Sequence, residues 1–179
     1  MSRPSNLIPQ PGWSVRTMTL GQVPLVVSWI AAIDPDAAMN EIEVAARMER
    51  ELIDAGEAGV YHYFIGYFER LATFFMVGAR LAWGTVGGGR NERREQDYEI
   101  VTLLVSPVIT EDLYLPLFHQ AIGFVFESER VDRVICKIEV GDELRGKVLR
   151  RLGFYEVEWE GGDGVSGWYG CSRERFWGG

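Results

Sequence analysis

The stretch from Val101 to Leu117, VTLLVSPVITEDLYLPL, joins an apolar strand to a helix through a turn where a ligand could bind. A turn that binds a pyrophosphate needs glycines, because a backbone without side chains lets N–H groups approach the anion, and the dipole of the next helix then favours negative charge. Thr110, Glu111 and Asp112 occupy this turn instead. The two carboxylates complement the helix dipole themselves, so this turn disfavours an anion.

Few other residues have the types and spacing that nucleophilic or metal-dependent chemistry needs. His62 lies in a predicted strand and His119 in a predicted apolar helix, where a single histidine is more often a packed or surface group than a catalyst. The two cysteines, Cys136 and Cys171, show no CxxC or Cys/His spacing, which predicts small buried hydrophobic residues in a reducing compartment. We therefore expect neither a Ser/His/Asp group nor a metal site.

The composition restricts the partners of the protein. Its 179 residues, 47% hydrophobic and 25% charged, predict one soluble domain over 13–179 after an irregular arm over 1–12. With 26 acidic and 18 basic residues the net charge is −8, so no general basic surface for nucleic acid is expected. No apolar run has the length of a signal peptide or of a membrane span, which predicts a cytoplasmic protein that is not inserted in a membrane.

Hydrophobic periodicity predicts the elements of the first half of the chain. A short strand begins at Trp13, and two helices follow it, the first capped by Thr19 and the second ended by Gly56. Two runs rich in β-branched and aromatic residues come next, separated by Glu69-Arg70. This pattern predicts a hairpin whose strands are covered on both faces.

The second half begins with a glycine- and arginine-rich segment over 84–96, which is either a solvated connection or a flap that contacts an anionic ligand. A buried strand, an apolar helix, a strand over 131–140 and a helix from the cap Asp142 to Gly153 follow. A C-terminal hairpin is predicted last, with Tyr155 among the apolar positions of its first strand and a second strand over 168–177. This order predicts an α/β fold with a mixed sheet.

The element order and two motifs resemble the GNAT superfamily of acyl-CoA-dependent N-acyltransferases. Glu99–Pro107, EIVTLLVSP, is similar to the central strand of that family, and Asp142–Phe154 is similar to its helix that ends in Leu-Gly-Phe. The resemblance implies a mixed, mainly antiparallel sheet of six to seven strands flanked by about four helices. It also implies transfer of an acyl group, such as acetyl, from CoA to an amine. Residues 124–154 also resemble the branch that acetylates hydroxylamines in hydroxamate siderophore synthesis, which usually carries a histidine at the position of Thr102.

The resemblance also implies roles for residues of the central strand. Glu99 would be the base that takes the proton of the amine, although a solvated glutamate or one paired with a loop arginine is the alternative. The splayed backbone at Leu103, Leu104 and Val105 would bind the pantetheine arm of CoA. The N–H of Leu104 or Val105 would also stabilise the carbonyl oxygen.

Two more positions of CoA-binding motifs fall on Thr110 and Asp142, so both are assigned to the cofactor site by resemblance. Tyr155 is the candidate that would protonate the leaving thiolate, with Tyr98 and Tyr169 as alternatives. Tyrosines in strands are more often core or rim residues, and that alternative stays open for all three.

The chain departs from the family pattern at several of these positions. The glycines of the pyrophosphate loop fall on Leu113 and Leu115, and the tyrosine of the later helix falls on Leu149. A carboxylate about 5 Å from one phosphate charge costs roughly 3 kcal/mol at an effective dielectric constant near 20. Glu111 and Asp112 therefore weaken the expected CoA site.

Two hypotheses follow. In the first, the protein is an acyltransferase whose co-substrate is acetyl-CoA or another acyl-CoA and whose acceptor is a small amine. In the second, it is a GNAT-like domain without catalysis that binds a protein partner, as a homo-oligomer or as a component of a larger assembly such as a phage particle. The aromatic C-terminus with Phe176 and Trp177 would then provide a contact, unless these side chains pack on the last strand.

Overall fold

The computed structural model describes residues 11–33, 35–36, 40–58, 61–83, 96–105, 111–128, 131–139, 141–157 and 167–178. Within these ranges seven strands form one sheet: β1 Trp13–Thr17, β2 Tyr61–Phe68, β3 Leu71–Trp83, β4 Gln96–Val105, β5 Arg133–Ile138, β6 Tyr155–Val157 and β7 Gly167–Ser172. The helices are α1 Val23–Ile33, α2 Glu41–Ala58, α3 Glu111–Ser128, α4 Glu143–Arg151 and α5 Arg173–Gly178. The glycine- and arginine-rich segment predicted over 84–96 lies outside the described residues except for Gln96, which begins β4.

The sheet has the order β1-β2-β3-β4-β5-β7-β6. Among the described strands only β4 and β5 pair in parallel, and the other neighbours are antiparallel. The prediction of a mixed, mainly antiparallel sheet with helices on its faces is confirmed. Because β4 and β5 run in the same direction, α3 must cross back between them, which places the start of α3 near the end of β4.

Two apolar clusters cover the two faces of the sheet. On one face α3 and α4 pack over the central strands, with Phe118, Phe126 and Leu149 fully buried. On the other face α1 and α2 pack over β2 and β3, with Val26 and Ile65 fully buried. The core of the described strands therefore lies on both faces, as their near-continuous hydrophobicity predicts.

The first half of the chain follows its local signals closely. Thr19 precedes a 3₁₀ turn over Leu20–Gln22 that leads into α1, and the N–H of Thr19 donates to Gln22 Oε1 at 2.8 Å. The hairpin prediction is confirmed, with Phe68 paired to Leu71 across the turn and Glu69 at a φ of 53°. Gly56 does not end α2, which continues to Ala58. A glycine in the last turn of an 18-residue helix costs only about 1 kcal/mol, which the other turns offset.

The C-terminus differs from the prediction of a strand over 168–177. β7 ends at Ser172, and α5 begins at Arg173, whose N–H donates to the carbonyl of Asp132 at 3.1 Å. The hydroxyl of Ser172 accepts from the N–H of Arg175 at 3.3 Å, as a residue before a helix does. The strand pattern misleads here because this cap begins a helix within the aromatic run.

The aromatic residues of α5 contact α3. The ring centroid of Phe176 lies 4.5 Å from that of His119 and 5.2 Å from that of Phe126. A Cβ placed on Gly123 would lie 3.3 Å from the Trp177 ring, so this glycine leaves room for the indole. Phe176 and Trp177 therefore contact α3, which the sequence did not predict.

None of the helices in the described ranges combines the length and the apolar character that crossing a membrane would require.

Candidate functional site

The central feature of the site is a separation of the two parallel strands. β4 and β5 pair from Asp97–Arg133 to Ile100–Cys136, and the pairing ends there. β4 continues to Val105, while the end of β5 stays paired with β7, with Ile138 opposite Gly167. Alternate N–H and C=O groups along Val101–Val105 therefore point to the side from which β5 has departed.

A register shift marks the residue where the two strands separate. Gly78 of β3 pairs with Thr102, but the next residue, Ala79, pairs with Ile100. Val101 is therefore an extra residue in β4, and such a bulge bends a strand and increases its local twist. The bulge gives a physical reason for the departure of β4 from β5 directly after Ile100.

Three of the predicted cofactor-binding residues lie on the separated part of β4. Leu103, Leu104 and Val105 pair with Val77, Met76 and Phe75 of β3 on one side. Their other side has no paired strand among the described residues. The structure therefore brings these three positions together at the gap between β4 and β5, which we call the β4–β5 gap.

Glu99 lies directly before this gap. It pairs with Arg80 on β3 and with Ile135 on β5, one residue before the last β4–β5 pair. Ile135 is fully buried. The backbone thus places a glutamate in the middle of the sheet, at the closed end of the β4–β5 gap.

The start of α3 does not have the features of an anion-binding turn. Thr110 lies outside the described residues, and the helix begins at Glu111, so both acidic residues belong to its first turn. Leu115, at the second glycine position of the family loop, is 1% exposed and belongs to the main apolar cluster. This position therefore packs in the core.

The start of α4 holds its aspartate in local contacts. Asp142 Oδ1 accepts from the N–H of Arg145 at 3.0 Å, which confirms the predicted cap. Asp142 Oδ2 lies 3.1 Å from Arg145 Nε. Leu149, at the position of the family tyrosine, is fully buried in the main apolar cluster. No proton donor stands at that position of the helix.

Tyr155 lies away from the β4–β5 gap. It is on the edge strand β6, and β7 and β5 separate β6 from β4. At about 4.8 Å between neighbouring strands, its backbone lies about 14 Å from β4. Its side chain is 40% exposed, not in the apolar interior, and the guanidinium carbon of Arg175 lies 4.8 Å from its ring centroid. The structure does not bring Tyr155 together with Glu99.

A polar group beside α4 was missed by the sequence reasoning. Tyr169 is 7% exposed, and its hydroxyl donates to Glu156 Oε1 at 2.9 Å and accepts from an Nη of Arg150 at 3.2 Å. These residues come from β7, β6 and α4, so no spacing along the chain marks them. The one sequence feature that could have indicated this group is the presence of Glu156 and Tyr169 in adjacent predicted strands.

Both cysteines are buried, as the sequence predicts. Burial raises the pKa of the Cys171 thiol to about 12, although the charge of Arg175 lowers it slightly. This thiol is therefore protonated at neutral pH and is a poor nucleophile. In the described part of the chain, no three His, Cys, Asp or Glu side chains are grouped in a way that could hold a metal ion.

Comparison with known proteins identifies the fold. No protein-family profile matches the sequence, and no curated protein matches it. Solved structures match over nearly the whole chain. FdhC, a nucleotide-linked sugar GNAT in its apo form, has a TM-score of 0.71 at 10% identity, over 95% of this chain and 92% of its own. The chain has the GNAT fold.

Two further structures agree with this assignment. The N-acetyltransferase PseH of Campylobacter jejuni has a TM-score of 0.60 at 14% identity, over 91% of this chain and 99% of its own. RimL, a ribosomal L7/L12 alpha-N-protein acetyltransferase in complex with coenzyme A, has a TM-score of 0.65 at 10% identity, over 93% and 97%. The similarity of fold therefore covers nearly the whole chain in all three structures.

Proposed function

We propose that the protein is an acyl-CoA-dependent N-acyltransferase that transfers an acetyl or other acyl group to an amine or hydroxylamine of a small molecule. The observation that carries the proposal is the β4–β5 gap. It leaves backbone donors and acceptors of Val101–Val105 facing away from β3, next to a glutamate at the closed end. Amide groups of a pantetheine arm have the spacing and hydrogen-bonding character of an added strand, so this gap fits the arm of CoA.

The residues at the gap supply two of the three functions that direct acyl transfer needs. Glu99 would accept the proton that the amine loses when it attacks the thioester. The N–H of Leu104 or Val105 would donate to the carbonyl oxygen as negative charge develops on it, and a backbone donor held by the β3 register needs little reorganisation.

The third function, protonation of the thiolate, has no candidate at the usual helix position, because Leu149 is buried in the core. Tyr155 remains our candidate donor. Because Tyr155 lies on the edge strand β6, about 14 Å from β4 by strand spacing, it could act as the donor only if the acyl group came closer to it than β4 does.

The phosphates of CoA fit less well than the pantetheine arm. Glu111 and Asp112 begin α3, and Leu115 of the same segment packs in the core. Phosphate binding at this helix start would meet repulsion of roughly 3 kcal/mol from each nearby carboxylate. We therefore expect that cationic groups elsewhere hold the phosphates and that the affinity for CoA is in the micromolar rather than the nanomolar range.

The test is calorimetric titration of the full chain with acetyl-CoA at moderate salt, followed by an assay of CoA release with a panel of amines. Micromolar binding would support the proposal, and binding no tighter than millimolar would reject it. Glu99→Gln should then lower turnover at least tenfold without changing acetyl-CoA affinity. Glu174→Gln, at an exposed position of α5, is the matched control and should change neither. Tyr155→Phe measures the second role, and unchanged turnover would remove it.

A second candidate function is a binding or structural component that has lost catalysis. The observation that favours it is the use of two family site positions for packing, since Leu115 is 1% exposed and Leu149 fully buried. Under this hypothesis the protein elutes as a defined oligomer or with a protein partner in size-exclusion chromatography with light scattering. A monomer that binds acetyl-CoA would contradict it.

A further inference from the structure

A cavity of about 550 Å³ lies on the side of α4 that faces β7. Its wall includes Ile138 and Glu139 at the end of β5, Gly167 and Tyr169 of β7, and Glu143, Gly146, Lys147 and Arg150 of α4. Small-molecule sites in proteins have volumes of roughly 300–1,000 Å³, so the cavity has the size of a ligand site.

The cavity lies on a different side of α4 from the family position Leu149, although Asp142 of the predicted cofactor site also lines it. The cavity-lining positions of α4, 143, 146, 147 and 150, have the spacing of one helix face. Val148, Leu149 and Leu152 form another face, which is buried in the main apolar cluster. A ligand in the cavity would therefore touch α4 on a different face from one that contacts the family position of Leu149.

Gly146 keeps this cavity open. A glycine inside a helix costs about 1 kcal/mol relative to alanine, and close packing of another element is the usual reason to keep one. At Gly146 that reason is missing, because a Cβ placed there would come no nearer than 3.6 Å to Arg150 and 3.8 Å to Ile138. The space that a side chain would occupy belongs to the cavity.

Arg150 is held in position at the wall. One Nη donates to the Tyr169 hydroxyl at 3.2 Å, and the guanidinium carbon lies 5.7 Å from the Tyr169 ring centroid. The hydroxyl in turn donates to Glu156 at 2.9 Å, and the tyrosine is 7% exposed. A guanidinium has five N–H donors, so one bond to a hydroxyl leaves further donors for an anionic ligand.

The cavity presents charges of both signs. Arg150 and Lys147 are cationic, and Glu139 and Glu143 are anionic. The carboxylate of Asp142, also at the wall, is already bonded to Arg145. A ligand of one sign would be repelled by the pair of side chains that carries the same sign, whereas a ligand with both an ammonium and a carboxylate would match both pairs.

We propose that this cavity is a second binding site, separate from the β4–β5 gap, for a small zwitterion of the amino-acid type. The carboxylate of the ligand binds Arg150 and Lys147, its ammonium binds Glu139 or Glu143, and its aliphatic part packs on Ile138 and the Tyr169 ring. The proposal goes beyond acyl transfer and does not depend on it, because the cavity can be titrated in the absence of acetyl-CoA.

Three probes that share one butyl chain separate the contribution of the ligand's carboxylate from that of its ammonium. Norleucine carries both charged groups, pentylamine lacks the carboxylate, and hexanoate lacks the ammonium. Calorimetry or ligand-observed NMR with the full chain should show millimolar or tighter binding of norleucine. Each of the other two probes should bind at least tenfold more weakly. No binding of norleucine up to about 50 mM overturns the proposal, and equal binding of norleucine and hexanoate overturns the zwitterion assignment.

Variants of α4 test the location of this site. Gly146→Met fills the cavity and should abolish norleucine binding, and Arg150→Met should weaken it at least tenfold. Arg151→Met is the matched control, because Arg151 is exposed on the same helix and does not line the cavity. Acetyl-CoA affinity should stay within twofold in all three variants. Norleucine binding that survives both Gly146→Met and Arg150→Met places the ligand elsewhere and refutes the proposal, whatever the result with acetyl-CoA.

Discussion

Replacing two glycines by alanine should change the stability of the protein in opposite directions. Gly146 lies inside α4, where alanine is favoured over glycine by about 1 kcal/mol. The added Cβ would make only ordinary contacts, at 3.6 Å to Arg150 and 3.8 Å to Ile138. Gly146→Ala should therefore raise the free energy of unfolding by about 1 kcal/mol. For a chain of this size that raises Tm by roughly 2–4 °C.

Replacing Gly66 by alanine should have the opposite effect on stability. It lies at the register shift between β2 and β3, and a Cβ there would lie 2.9 Å from Thr73 Oγ1 and 3.1 Å from Phe75. Phe75 is fully buried and has no room to move. Overpacking of this kind costs about 1–3 kcal/mol, so Gly66→Ala should lower the free energy of unfolding by that amount.

Urea denaturation followed by circular dichroism measures both changes, and the two variants should differ by roughly 2–4 kcal/mol. Equal m-values would show that the variants unfold to the same extent. A loss of stability in Gly146→Ala would mean that the cavity side of α4 is filled by close packing. No change in Gly66→Ala would mean that Phe75 and Thr73 can move apart, and either result would refute the reasoning.

Two further predictions concern a buried thiol and a helix cap. Because the pKa of Cys171 is raised to about 12 in the folded protein from about 9 when exposed, its stabilising contribution is complete below pH 9 and is lost as pH rises to 12. The stability of the native protein should therefore fall faster than that of Cys171→Val, by up to about 1.4 kcal/mol per pH unit in that window, and parallel curves would contradict this. Asp142→Ala should cost about 1 kcal/mol in urea denaturation, whereas Asp142→Asn keeps the cap and should cost less; equal losses would show that the ion pair with Arg145 is the larger contribution.

Local sequence signals predicted most of the fold. The hairpin of β2 and β3, the cap at Asp142 and the stop at Gly153 depend on residues that are close in the chain, and each of them is confirmed. Gly153 has a φ of 89°, a conformation that glycine adopts without strain. The error at α5 arises because the aromatic residues of 173–178 have strand propensity, whereas the Ser172 cap and contacts with α3 favour a helix.

The site was less accessible to sequence reasoning than the fold. The resemblance placed Leu103–Val105 along one strand, as the structure has them. The separation of β5 from β4 depends on a bulge at Val101, which the residue types around it do not predict. Tyr155 was chosen for its chemistry, and its distance from β4 follows from the strand order, in which β7 inserts between β5 and β6. Periodicity gives no information about strand order.

The contacts of the α4 side chains affect both the proposed acyl transfer and the proposed second binding site. Asp142 and Leu149 stand at positions of the family helix motif. Here Asp142 bonds to Arg145, and Leu149 belongs to the core. The face of α4 with Gly146, Lys147 and Arg150 instead borders a cavity. If acyl transfer is retained, it must depend on β4. The face of α4 that borders the cavity should then bind a different ligand. Acetyl-CoA and norleucine should therefore bind independently, with the affinity for either changed less than twofold by saturation with the other.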